Sequence, residues 1–335
     1  MLSQTLSVVI PVYRAGDALQ STVKELLAVA GSFSLAEGVV VDLDEVVLVC
    51  DNPALPVEDR TALRALEDLD SRVRTVWLAR NFGQHPATVA GIVSTNGDWV
   101  VTMDEDGQHD PAQLPAMLLT AVQAGVPLVY ASPTNEPPHG AVRNAASRTA
   151  KRVFRRLSGA KGDFHSFRLV EGSVARSACA YIGDNVYLDV AMRWSCGEAA
   201  YCPMLMRAEG TASSYDLRTL LSHFWRMVLS TGTRPLRLVA AGGLLVALLG
   251  LVVAVVVAQR RITGVFPTPG WTSVMVSQLV LIGGLFVTLA VLAEYVGFAV
   301  NNAIGKPLYV KAEHADSRAL WSLQAALAGA GPAPR

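Results

Sequence analysis

The sequence lacks net charge, with 28 Lys and Arg against 28 Asp and Glu. No global field points to nucleic acid, so charge has to be read locally. Paired cysteines are also missing. The four present, Cys50, Cys179, Cys196 and Cys202, make no C-x-x-C pair and no zinc-like spacing. That excludes a zinc ribbon and leaves free thiols in a reducing compartment as the expectation. The opening residues, MLSQTLSVVIPVY, hold no basic stretch followed by a cleavable apolar segment. No secretory signal is expected.

Apolar sequence is what the chain has in quantity, 51% of all residues, unevenly placed. Residues 238–258, LVAAGGLLVALLGLVVAVVVA, contain no polar side chain. At about 1.5 Å per residue this run covers roughly 30 Å, the thickness of a bilayer core. Residues 274–293 form a second run, broken only by Ser277, Gln278 and Thr288. Two buried helices of a soluble domain are the alternative, but such helices rarely stay apolar on every face for so long. Two membrane spans are expected within residues 235–300, at about 236–258 and 274–298. The loop QRRITGVFPTPGWTS between them is short and rich in turn formers, so both ends of the hairpin face one side. Arg218, Arg226, Arg234 and Arg237 before the hairpin, with Lys306 and Lys311 after it, outweigh Arg260 and Arg261 in the loop. This places residues 1–235, which hold a cytosolic domain over 1–212, and the tail 301–335 in the cytoplasm, at the inner (plasma) membrane.

Ahead of the first span, Leu217, Leu220, Leu221, Phe224, Trp225 and Val228 fall on one helical stripe. Arg218, Ser222, His223 and Arg226 take the other face. A core helix would look alike, but Pro235 and a span follow at once. Residues 213–234 are expected to lie as an interfacial helix on lipid headgroups.

The first two hundred residues alternate. Residues 6–13, 45–50, 72–79 and 98–103 are β-rich apolar runs ending in polar or turn residues. Between them run helical patterns, Leu19, Val23, Leu26, Leu27 and Ala30 in one, Leu63, Leu66 and Leu69 in another. Such alternation predicts an α/β fold, a parallel sheet with helices on both faces. Ligands then bind beyond the carboxyl ends of the strands, next to Tyr13, Asp51, Arg80, Asn81, Asp104 and Asp106.

At the last of these runs, WVVTMDEDGQHDP (residues 99–111), acid follows a buried strand with almost no spacer. Packed like charges repel unless a cation sits between them. Asp104 and Asp106 are two apart and lean the same way on an extended segment, with Gln108 continuing that face. This suits one hard divalent cation with oxygen ligands. An EF-hand is excluded, because the further ligands and closing glutamate are missing. A solvated acidic turn is the alternative from this pattern alone.

Four stretches in order, SVVIPVYRAGDAL, EVVLVCDN, LARNFGQHPATVAGI and VVTMDEDGQHDP, resemble the nucleotide-sugar domain of family-2 glycosyltransferases. RNAASR, HSFRLV and RAEGTASSYDLRTLL resemble the branch that uses polyprenyl phosphates as acceptor, which includes dolichyl-phosphate mannose synthases. PGWTS, AEYVG and GKPLYV are similar to its two-span bacterial members. The resemblance covers residues 5 to 311. It implies a glycosyltransferase A-type (Rossmann-like) fold with a mostly parallel sheet and a C-terminal two-helix transmembrane hairpin.

The resemblance also implies roles. Pro11, Tyr13 and Asp51 fall where the family holds the donor's base and ribose, and Arg80 and Asn81 line the same pocket, with Gly83 letting the backbone turn. Asp104 and Asp106 match the D-x-D, and Gln108 the glutamine that helps hold Mg²⁺ or Mn²⁺. Arg143, Ser147, Arg148, Ser166 and Arg168 match positions facing the acceptor phosphate or donor diphosphate, where guanidinium forks suit phosphate oxygens. Departures accompany the match. Arg14, Ala15 and Gly16 replace an acidic pair, and Cys50 replaces the first of two paired aspartates. Residues 32–44 lengthen the entry to the second strand, and the G-x-S-S-Y segment carries one extra residue after Gly210.

The expected reaction is inverting, metal-dependent transfer from a nucleotide-sugar, a UDP-sugar, to undecaprenyl or decaprenyl phosphate, for cell-envelope glycan modification. A cation at the D-x-D neutralises charge on the leaving diphosphate. The lipid phosphate, largely dianionic at neutral pH, is its own nucleophile and needs no strong base. A homo-oligomer, such as a tetramer, is expected through the helices, with Gly242, Gly243, Gly250, Gly283 and Gly284 offering small faces; lipid-exposed glycines are the alternative. A GDP-mannose-dependent mannose synthase and a catalytically silent membrane scaffold remain as rivals. A processive synthase fits poorly, since Val190 takes the place of glutamine before Arg193 and Trp194.

Overall fold

The computed structural model describes residues 2–29, 33–36, 39–135, 164–183, 186–207, 234–263 and 270–312. Arg143, Ser147, Arg148 and nearly all of the expected interfacial helix lie outside the described residues.

The predicted strands form. The first is β1 (Leu2–Val12), and the second ends a longer β3 (Val39–Cys50). The next two are β4 (Val73–Leu78) and β5 (Trp99–Thr102). The extra residues before the second strand fold back as β2 (Phe33–Ala36), antiparallel to β3. Three more strands follow, β6 (Leu128–Pro133), β7 (Arg168–Glu171) and β8 (Ala200–Met204), and β9 (Lys311–Ala312) comes from the tail. The sheet order is β8-β6-β7-β5-β1-β3-β4-β9. Its central strands β5, β1, β3 and β4 are parallel, while β7 and β9 run antiparallel to their neighbours.

Strand alternation feeds two cores. Val8, Ile10 and Val12 of β1, with Val46 and Leu48 of β3, meet α1 (Asp17–Val29), α2 (Val57–Leu69) and α4 (Leu114–Ala124). Val9, Val47 and Val49 face the other way, onto α3 (Gln84–Val93), α5 (Gly172–Cys179) and α6 (Leu188–Cys196). Period two on each strand thus builds a three-layer sandwich. The helical stripes hold at Leu19, Val23, Leu26, Leu63 and Leu66, whereas Leu69, at the last residue of α2, is 54% exposed. A Cβ on Gly91 would strike Val9 and Val49, so only glycine lets α3 lie this close to the sheet.

Near the amino ends of β4 and β5, buried Glu45 accepts bonds from Ser7 Oγ (2.9 Å), Arg74 Nη2 (2.7 Å) and the Asn96 amide (2.7 Å). This knot pins the turn between α3 and β5 and so sets where β5 emerges at the opposite end.

A separate compact unit holds α7 (Arg234–Ile262) and α8 (Trp271–Ile304). Val280–Ile304 is long and apolar enough to cross a membrane, with mean hydropathy 2.0; in α7 the described apolar stretch is shorter, Val239–Val252. Leu244, Leu248, Val252, Leu285 and Leu289 are all exposed to their surroundings. Gly250 faces Leu281 of the neighbouring helix, where a Cβ would meet Leu281 Cδ2 at 3.9 Å. Gly242, Gly243, Gly283 and Gly284 have open space beside them.

The described part of the tail joins the sheet. After Gly305 ends α8 in a left-handed cap, residues 307–312 belong to the sheet unit. Leu308 and Tyr309 pack against its second core, and β9 pairs with Trp77 and Leu78 of β4. The reason is an edge: on the side away from β3, β4 has no other partner among the described residues, and the Ala79 amide bonds the Val310 carbonyl at 2.8 Å.

Candidate active site

The carboxyl ends of β1, β3, β4 and β5 open at one end of the sheet. Because β7 runs antiparallel, it starts there, which brings residues 164–168 beside the acid stretch after β5.

That stretch does not continue as a strand. Glu105 and Asp106 form a turn, and Gly107 adopts φ 77°, a left-handed value that favours glycine. Each acid meets a different environment. Asp104 is gripped on both oxygens, Oδ1 by Gln84 Nε2 (2.6 Å) and Oδ2 by Ser166 Oγ (2.5 Å). Burial pushes its pKa up, against the bond from Ser166 and the charges of His165 and Arg168. Glu105 turns back, and its Oε2 accepts the amides of Tyr13 (2.8 Å) and Arg14 (3.0 Å). Asp106 accepts the Gln108 amide on Oδ1 (3.1 Å), and no donor from another described residue is found on its second oxygen. Burial, and then the Asp104 charge, raises its pKa as well. Asp110 caps the following turn through the Ala112 amide and pairs with Arg207, which also holds Glu25 of α1.

Asp104 and Asp106 therefore form an anionic pair in a poorly hydrated place, where protonation or a cation relieves the repulsion. Both offer hard oxygen ligands. Among the described residues no three or more His, Cys, Asp or Glu gather as a metal cage. A divalent ion here would take two carboxylates and complete its shell with ligand oxygens and water, a set that suits Mg²⁺ or Mn²⁺. Only the backbone amide and carbonyl of Gln108 have described bonds, to Asp106 and Arg207.

His109 lies buried beneath. Its ring stacks on Phe167 at 4.8 Å, and its Nδ1 accepts the Asp104 amide (2.9 Å), so the proton of the neutral ring sits on Nε2. Burial keeps it neutral, with its pKa lowered to about 4.

Two residues differ from their expected placement. Asp51 is buried, and both its oxygens accept backbone amides, from Phe82 (2.8 Å) and Gly83 (2.6 Å). It shapes the R-N-x-G turn rather than presenting a carboxylate at the surface, because two successive N–H groups, of Phe82 and Gly83, converge on it, and the chain leaves the turn at Gly83 with φ 96°. Arg168 is likewise internal. It ion-pairs with buried Asp189 of α6, and its Nε donates to Thr102 Oγ1 (3.0 Å). A guanidinium so enclosed does not face an incoming lipid phosphate. The others stand at the rim: Tyr13 is 48% exposed, Arg80 lies over the Phe82 ring at 4.0 Å, Asn81 is exposed, and Pro11 sits near the end of β1.

The Asp51 placement carries a pH signature. Its pKa is raised to about 6, chiefly by burial, against about 4 in an unfolded chain. A raised acid contributes stability that is complete below pH ~4 and is lost as pH climbs through about 6. Asp51→Asn should therefore flatten the decline in unfolding free energy between pH 4 and 7 by on the order of 3 kcal/mol. Urea unfolding of both proteins without divalent ions checks this, and parallel pH slopes would contradict it.

Sequence reasoning passed over Glu105, Gln84, His109 and Asp189. Glu105 was visible as the middle acid of the D-x-D, and Gln84 as the polar residue after Gly83. Nothing in the sequence links Asp189 to Arg168.

Comparison with known proteins identifies the family of the chain. The model of "Glycosyl transferase family 2" matches residues 7–176. The undecaprenyl-phosphate 4-deoxy-4-formamido-L-arabinose transferase of Edwardsiella ictaluri (strain 93-146) is 30% identical over 317 residues, 91% of this chain and 93% of that protein. The Klebsiella pneumoniae protein of the same name is 27% identical over 319 residues, 91% of each. Among solved structures, mannosyl-3-phosphoglycerate synthase from Rubrobacter xylanophilus shares 18% identity at a TM-score of 0.49, covering 70% of this chain and 74% of that one. The matched residues take in every strand end that contributes to the site, and the chain belongs to glycosyl transferase family 2.

Proposed function

We propose that this chain transfers a glycosyl unit from a UDP-sugar to undecaprenyl or decaprenyl phosphate, with inversion and with Mg²⁺ or Mn²⁺. The observation that carries the reading is the acid pair after β5: Asp106 with an oxygen open, beside Asp104 locked by Gln84 and Ser166. The names of the relatives, which span nearly the same length, support a polyprenyl phosphate as acceptor.

Asp104 and Asp106, aided by Gln108, would hold the ion, and its positive charge would be what offsets the charge developing on the leaving diphosphate. The chain's own groups do the rest. Glu105 fixes the Tyr13–Arg14 backbone, and Asp51 fixes the turn that presents Arg80 and Asn81, so the donor's base and ribose meet a preset rim. Pro11 stays with that rim. Ser166 keeps Asp104 in place, and Arg143 and Arg148 bring positive charge to the acceptor phosphate. The phosphate dianion attacks the anomeric carbon in line, the nucleotide diphosphate departs, and no general base is required. α7 and α8 cross the inner membrane as a hairpin, holding the domain on the cytoplasmic side where the lipid phosphate lies; tethering raises its effective concentration. The open glycine faces suit contact with further copies.

Purified full chain in detergent should release UDP from a UDP-sugar only when undecaprenyl phosphate and Mg²⁺ or Mn²⁺ are both present. Chelation with EDTA should stop it. A panel of UDP- and GDP-sugars that yields no lipid-dependent release overturns the reading.

A further inference from the structure

A buried arginine is costly. Removing a guanidinium from water is offset only by a well-made partner set, and apolar residues of similar volume would fill the space at equal or lower cost. Arg168 nevertheless sits fully inside, among the side chains on the second-core face of β5, β6 and β7. Register explains its neighbours. Thr102 lies directly across from Arg168 on β5, and Tyr130 directly across on β6, so the three side chains share one row. Asp189, in the first turn of α6, closes the row from above with an ion pair to Nη1. Burial and the Asp189 charge keep the Tyr130 phenol protonated, so Arg168 is the row's only cation among the described residues.

The row leads to the acid pair. Arg168 Nε donates to Thr102 Oγ1 (3.0 Å), which leaves the Thr102 hydroxyl proton one direction to point. It goes to the carbonyl of Ser166 (2.5 Å). The Ser166 hydroxyl in turn donates to Asp104 Oδ2 (2.5 Å). A hydroxyl that accepts on one side is committed to donate on the other, so Arg168 sets the Thr102 rotor, and the Thr102 bond then fixes the Ser166 backbone from which its side chain reaches Asp104.

We propose that Asp189, Arg168 and Thr102 are positioning residues, a buried relay that holds Ser166 so that Asp104 keeps the orientation needed to bind a divalent cation. The inference rests on the cation reading above. Outer partners of this kind are worth 10- to 100-fold in metal affinity.

Mn²⁺ uptake by the full chain in detergent, followed by electron paramagnetic resonance with UDP and separately with GDP, tests it without turnover. Thr102→Val removes the hydroxyl and keeps the β-branched shape. It should weaken Mn²⁺ binding about 10-fold and, by leaving the Arg168 Nε–H without its acceptor, also lower Tm, and Thr102→Ser should restore both. Arg168→Lys keeps the charge beside Asp189 but has no Nε–H for Thr102, and should weaken Mn²⁺ in the same way should the valine variant not fold. Wild-type Mn²⁺ affinity in either folded variant overturns the relay alone. A wild-type chain that takes up no Mn²⁺ with either nucleotide overturns the cation reading and the relay together.

Discussion

Replacing Asp106 with alanine should lower glycosyl transfer by about 10³-fold or more, a barrier increase of ~4 kcal/mol. The same change should leave Tm unchanged or slightly raised. The two outcomes have one cause. Asp106 accepts a single described amide from another residue, and both burial and Asp104 disfavour its charge. Its carboxylate contributes little to the fold and is open to a ligand. Asp104→Ala makes the contrast, since it also strands Gln84 and Ser166, and should cost stability along with activity. Lipid-linked product measured with radiolabelled donor, alongside thermal unfolding, separates the two variants. Wild-type turnover by a folded Asp106→Ala protein would remove the acid pair from the reaction.

The largest expected effect on stability falls at Asp189. Asp189→Ala leaves the Arg168 charge buried with only Thr102 as a described partner, and breaking such a pair costs about 3–5 kcal/mol. For a domain of this size that lowers Tm by roughly 10 °C. The double change Arg168→Met with Asp189→Leu removes both charges at similar volume and should recover most of the loss. It should not recover Mn²⁺ affinity, because Thr102 then has no donor to set its hydroxyl. Chemical denaturation of the three proteins checks the sequence of stabilities. A single variant as stable as wild type would show that the pair is not load-sharing in the folded state.

Legibility differed by the range of the interaction. The strands were readable because Val8, Ile10 and Val12 alternate with Val9, and burial on both faces demands that pattern. The acid pair was readable because its members are two apart in the chain. β9 was not, since two residues carry no period and pair with β4 only because that strand ends the sheet. Asp51, by its place after a strand and by the family resemblance, and Arg168, by the resemblance, are expected to face a ligand, whereas folding turns them inward onto partners 31 and 21 residues away.

By itself the sequence determined the layered α/β plan, the two long apolar helices and the end of the sheet at which acid collects. These follow from spacing and hydrophobicity, properties of neighbours along the chain. Only the tertiary structure decided how the acids divide their work: Glu105 to the first strand's loop, Asp110 to a cap, Asp104 to Ser166 and Gln84, and Asp106 left open. That division depends on which donors arrive from β7, α3 and β1. A carboxylate's role is set by the partners that reach it, and those come from distant parts of the chain.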